Sequence, residues 1–148
     1  MSKSKAVPFE TTLLVRDACL CLHAQRAARA LARRFDQAFR PLGLTSGQFS
    51  LLMALNRPEP PPMGPVAALL AMDRTTLTAA LKPLQRRGLV EATPDPTDKR
   101  SRLLHLTSKG LALLRAAVPI WEATHQEVER RVPGGEADVL RGALRALA

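Results

Sequence analysis

The stretch MDRTTLTAALKPLQRRGLV, residues 72–90, decides how the chain folds. Asp73 is a helix-capping residue type, and Leu77, Leu81 and Leu84 follow at steps of four and three, so they share one inward face. Arg74, Thr75, Thr78, Lys82 and Arg86 fall on or near the other side, and Gly88 is suited to end the helix after Arg87. The result is an exposed helix whose outer surface is polar and basic.

Downstream, Leu89–Ala92 and Arg102–Leu106 are strand candidates. They are joined by TPDPTDKRS, residues 93–101, where Pro and Asp favour reversal over continued pairing. This predicts a basic hairpin. Thr107 then caps a further helix carrying Leu111, Leu114, Val118 and Trp121, in which Pro119 predicts a kink. Pro133-Gly134-Gly135 separates a last helix that ends at Ala148.

Upstream, a short helix from Pro65 to about Ala71 precedes Asp73, so two helices meet across a tight turn. Prolines 58, 60, 61, 62 and 65 make the segment before it a stiff connector. Thr45-Ser46-Gly47-Gln48 reads as a capping box opening a helix with Phe49, Leu51, Leu52 and Leu55. Before it, Leu20, Ala24, Ala27, Leu31, Phe35, Ala38 and Phe39 form one apolar stripe, which predicts a single long helix over Thr11–Arg40. Arg26, Arg29 and Arg33 lie on its other side, and Pro41 with Gly43 ends it.

The chain has 148 residues, 46% of them hydrophobic and 24% charged, which fits one globular core and excludes a large multidomain enzyme. Aromatic residues are 3% with no Tyr, while Ala, Leu and Arg recur, so the expected fold class is mainly α with a small β-hairpin. No segment has the roughly 20 apolar residues a membrane span needs, and MSKSKAVPFE lacks the apolar centre of a signal peptide. A cytoplasmic location with no membrane partner is the expectation. Cys19 and Cys21 are too close to bridge within a helix, and no structural disulfide is expected.

The net charge of +9 is concentrated in the middle of the chain. Residues 74–115 hold nine basic groups against three acids, whereas residues 118–148 hold four against five. Such localisation is an electrostatic footprint for phosphates, and it is also compatible with solvated surface. Chemistry of other kinds is not proposed by any motif. There is no phosphate-binding glycine loop, nucleophile elbow or paired-carboxylate helix, so no enzyme is expected. Cys19 and His23 share a helical face but Cys21 points away, which is too few ligands for zinc, and neither metal nor cofactor is expected.

The order helix, helix, tight turn, helix, basic hairpin resembles the MarR family of winged helix-turn-helix regulators. LTSGQFSLLMAL (residues 44–55), residues 72–90, and DPTDKRSRLLHLTSKG (residues 95–110) carry the resemblance, together with the long amphipathic helices at both ends. The most specific part is D-x-R followed by a strand and L-T-x-x-G, matched by Asp98, Arg100, Leu106, Thr107 and Gly110. Ala71 stands where the family often has Gly in the turn, and Pro83 interrupts the recognition helix after its first two turns.

The resemblance implies three regions: an N-terminal dimerisation helix region (1–40), a winged helix-turn-helix DNA-binding lobe (41–107) and C-terminal dimerisation helices (108–148). It implies a homodimeric repressor that binds a palindromic double-stranded DNA operator and is released by a small-molecule effector. Arg74, Thr75, Thr76, Thr78, Lys82 and Arg86 are then the DNA contacts of the recognition helix, since its N-terminal residues reach base edges. Asp98, Lys99 and Arg100 are those of the wing, with Arg100 in the minor groove and Asp98 orienting its side chain, a role compatible with Asp98 also favouring the turn. The effector site implied lies near His23, Arg26, Phe49 and Met53. An alternative is the organic-hydroperoxide-sensing branch, with Cys21 at the equivalent of its reactive cysteine and Cys19 beside it. That branch's supporting tyrosines are absent, with Gln25 and Phe35 near their places. A third reading is a winged helix used only for protein docking, which the basic wing disfavours.

Overall fold

The computed structural model describes residues 6–148, so the first half of the segment read for a signal peptide lies outside the described residues. The chain begins with α1 (Phe9–Ala18) and α2 (Leu20–Phe39), a correction to the single long helix expected from the sequence. Apolar periodicity continues across the junction, but Cys19 adopts extended backbone (φ −70°, ψ 110°) and its Sγ accepts the N–H of Leu22 at 3.4 Å. A side-chain acceptor for a free helical N–H is what starts a new helix.

Beyond a 3-10 turn at Arg40–Leu42, α3 spans Ser46–Leu55 and opens on the expected capping box. Gln48 N donates to Thr45 Oγ1, and Thr45 N to Gln48 Oε1, each at 3.1 Å. Asp36 fastens this start to α2 by accepting the N–H of Ser46 at 2.6 Å. Helix α4 covers Met63–Leu69, two residues earlier at each end than expected. Pro65 is its third residue, where the missing N–H is still one that the helix leaves unbonded.

The turn from α4 into α5 (Arg74–Arg86) passes through Ala71 at φ +51°. Left-handed backbone costs a Cβ-bearing residue about 1 kcal/mol or more, which explains why glycine is favoured at this turn. Helix α5 remains one element through Pro83.

Strands β1 (Val90–Asp95) and β2 (Asp98–Leu106) pair antiparallel from Val90↔Leu106 to Asp95↔Asp98, with an irregularity after Pro94. Both are longer than expected from the sequence, and most of the segment expected to reverse lies within the two strands. Pro94 is tolerated because β1 is an edge strand, whereas β2 is also bridged on its other side, Pro62↔Leu103, with Leu104 N donating to Pro61 O at 2.9 Å. The proline connector therefore closes the sheet.

Helix α6 (Ser108–Arg130) runs as one element through Pro119, and α7 (Ala137–Leu147) follows the Pro-Gly-Gly turn. The start of α6 explains the L-T-x-x-G pattern. Thr107 Oγ1 accepts the N–H of Gly110 at 3.0 Å and donates to the carbonyl of Gly88 at 2.6 Å. Gly110 is buried, and a Cβ there would overlap the carbonyl oxygen of Leu89. The close approach of α6 to the end of α5 requires glycine.

The core joins the end of α2 (Phe39) to α3 (Leu51, Leu52), α5 (Leu77, Leu84), β2 (Leu104) and α6 (Leu114). By contrast α1 and α7 bury no residue, and α2 buries Phe39 alone. Phe9, Leu14 and Leu20 at one end, and Val139, Leu144 and Leu147 at the other, stay exposed in the single chain. Among the described residues no helix is long and apolar enough to cross a membrane.

Candidate nucleic-acid interface

Helix α5 is held from beneath by its three buried leucines, so its N-terminal half leaves Arg74, Thr75, Thr76, Thr78 and Ala79 exposed. Asp73 fixes the start of the helix by accepting the N–H of Thr76 at 2.7 Å. The hydrogen bond from the Thr76 backbone holds this carboxyl below its ordinary pKa. Arg74 lies back toward α4, its Nη2 3.6 Å from where a Cβ on Gly64 would stand. Thr78 donates its hydroxyl to the carbonyl of Arg74 at 2.8 Å. Lys82 and Arg86 are exposed further along.

The tip of the hairpin is built by two aspartates. Asp95 accepts the N–H and the hydroxyl of Thr97 at 2.9 and 2.8 Å, which hold its carboxyl below the usual range. Asp98 accepts the backbone N–H of Arg100 at 2.9 Å. The expectation that Asp98 orients the Arg100 side chain is thereby corrected: the bond falls on the backbone and shapes the turn. Lys99 and Arg100 are both exposed.

Among the described residues no ion pair involves α5 or the hairpin; the pairs found lie on α1, α6 and α7. The basic side chains of this face are thus uncompensated and available to phosphates. Not all the positive charge belongs to that face. Arg87 donates through Nη1 to the carbonyl of Gly43 at 2.8 Å, and Lys109 Nζ to the carbonyl of Arg87 at 2.9 Å, so these two tie elements together.

Sequence reasoning passes over Ala79, which is exposed one turn after Thr75. Its signal is present in the helical spacing, but a methyl group does not stand out in a search for polar chemistry. Sequence reasoning also misses a cleft of about 650 Å³ between α5 and the hairpin, floored by Met63, Leu81, Val90 and Leu104 with Thr78 and Lys82 at its rim. That cleft exists because elements distant in sequence meet.

The four residues expected to line an effector site sit in different surroundings within one chain. His23 and Arg26 line a groove along α2 with Arg29 and Arg33. Phe49 is buried, stacked between Phe39 (ring centroids 4.8 Å) and Trp121 (6.5 Å), and Met53 is exposed. Cys21 is exposed on the first turn of α2, accepting from Gln25 Nε2 at 3.4 Å. Among the described residues no group of three or more His, Cys, Asp or Glu is placed to hold a metal ion.

Residues 42–101 match the family model described as MarR family. The chain is similar to the transcriptional regulator HosA of Escherichia coli O111:H-, 33% identical over 106 residues, covering 70% of this chain and 77% of that protein. It is 38% identical over 76 residues to the HTH-type transcriptional repressor NicR of Pseudomonas putida, covering 51% of this chain and 48% of that one. Among solved structures it is similar to the Mycobacterium tuberculosis transcriptional regulator MosR in complex with DNA. That likeness has a TM-score of 0.80 and 37% identity, covering 87% of this chain and 92% of that one.

Proposed function

The chain belongs to the MarR family, and from that premise we propose that it is a repressor that binds a palindromic operator as a homodimer and is released by a small-molecule effector. It is a DNA-binding transcriptional regulator and not an enzyme. The observation that carries the reading is the exposed face shared by the start of α5 and the hairpin, basic and without ion pairs among the described residues. An α-helix fits the major groove, and an exposed basic tip suits the adjacent minor groove. Its DNA contacts are Arg74, Thr75, Thr76, Thr78, Lys82 and Arg86 on α5, and Asp98, Lys99 and Arg100 on the wing, with Asp98 acting through the Arg100 backbone.

Residues 41–107 form the DNA-binding lobe in this reading, and residues 1–40 and 108–148 supply the dimer interface. The exposed apolar side chains of α1 and α7 support that division, because surface of this kind is covered in a stable protein. A two-fold axis then sets two recognition helices roughly 34 Å apart, one turn of DNA. The effector site is placed beside α2 and α3, at His23, Arg26, Phe49 and Met53, completed by the second copy. The cytoplasm, where the genome is, is the proposed location.

A second reading, release by an organic hydroperoxide acting at Cys21 with Cys19, has one observation in its favour. Cys19 stands at the break between α1 and α2, so chemistry there acts on the joint of the dimerisation region. The repressor reading is tested by electrophoretic mobility shift on fragments of the source genome, followed by release with candidate effectors or peroxide. Retention of no fragment by a folded dimer would sink it.

A further inference from the structure

The exposed side of α5 carries less hydrogen-bonding capacity than its three threonines suggest. A hydroxyl has one proton to donate. Thr78 donates its own to the carbonyl of Arg74, while Asp73 accepts only the backbone N–H of Thr76. Among the described residues Thr75 and Thr76 make no side-chain hydrogen bond, so their donors are free.

Thr78 therefore has no proton for guanine O6, for a purine N7 or for thymine O4. What remains of it at the surface is the Cγ2 methyl and lone pairs. Ala79, exposed and adjacent, adds a second methyl. The apolar feature of a base pair in the major groove is the 5-methyl of thymine. We infer that Thr78 and Ala79 read thymine by methyl-to-methyl contact, leaving the hydrogen bonds to Thr75, Thr76 and Arg74. The inference rests on α5 being the helix that enters the major groove.

The test uses the full chain. Wild-type protein selects duplexes from a randomised pool, and each thymine of the recovered duplex is replaced in turn by deoxyuridine, which removes the 5-methyl alone. Binding should weaken about fourfold at two thymines in each half-site, the effect of one buried methyl. Thr78→Ser should lose the sensitivity at one of them and Ala79→Gly at the other, whereas Thr78→Val, which keeps the methyl, should retain the discrimination at both. Because Ala79→Gly weakens the helix, its fold is checked by circular dichroism; if it unfolds, the Thr78 pair decides alone.

Indifference of the wild type to deoxyuridine at every position overturns the inference, as does an unchanged pattern in Thr78→Ser. Weakened binding by Thr78→Val without any uracil sensitivity would assign Thr78 to hydrogen bonding and also overturn it. A selection that recovers no duplex overturns the DNA-binding reading itself, and this inference with it.

Discussion

Asp98 accepts the backbone N–H of Arg100 at 2.9 Å and makes no ion pair with its guanidinium. The carboxylate sits at a tip that is to approach phosphates, where its charge is unfavourable but its acceptor oxygen is needed. An amide oxygen accepts the same bond without the charge. Asp98→Asn should therefore leave operator affinity within about twofold of wild type or tighten it, whereas Asp98→Ala should weaken it about threefold to tenfold through the lost turn bond. Titration of both variants at fixed salt checks this, and equal weakening by the two would show that the charge matters more than the turn.

Two residues away, Arg100→Ala and Lys99→Ala each remove one exposed positive charge. Counterion release should fall about equally, with the salt slope of dimer binding decreasing by about 1.8 in each, about 0.9 for each of the two copies. The Arg100 variant should lose more affinity at any single salt concentration, since a narrow minor groove favours an arginine inserted into it. Parallel salt titrations separate the two effects, and equal losses at every salt concentration would reduce the wing to a nonspecific basic patch.

At Gly110 the α6 backbone packs against the carbonyl of Leu89, leaving no room for a Cβ. Gly110→Ala must push the first turn of α6 away from the end of α5 and should cost about 2–4 kcal/mol, at the severe end for one added methyl. Urea unfolding measures it. Ser108→Ala, an exposed neighbour on the same turn, is the control and should fall within about 0.5 kcal/mol of wild type.

Ala71 gives the opposite sign. Its φ of +51° is strained for alanine, and glycine relieves that strain while adding freedom to the unfolded chain. Ala71→Gly should be stabilising by about 0.5–1 kcal/mol, visible as a raised Tm at unchanged DNA affinity. A lowered Tm would mean that the left-handed turn is not present in solution.

Leu140 and Leu144 are 45% and 49% exposed on α7, which buries no residue within its own chain. Replacing both by Glu should leave the lobe folded by circular dichroism while shifting sedimentation at micromolar concentration from dimer to monomer. Operator affinity should fall with it, because each half-site is then bound alone. A double variant that stays dimeric would place the interface elsewhere.

The caps Thr45, Asp73 and Thr107, the inward leucines of α5 and the clustered charge are all legible in the linear chain. Each depends on residues within a turn or two of one another, and such patterns survive in a string of letters. The break at Cys19 is local too, yet apolar periodicity runs through it and hides it.

What the tertiary structure decided involves groups that are distant along the chain. Strand β1 extends through Pro94 because β2 provides a partner and the proline connector covers the far side of β2. Gly110 is required because Leu89 lies beneath it, and Phe49 is buried by Phe39 and Trp121. Three neighbouring threonines look alike in the sequence. They differ in the fold because a hydroxyl proton goes to whichever acceptor the folded backbone brings within reach, and that is a property of geometry rather than of residue type.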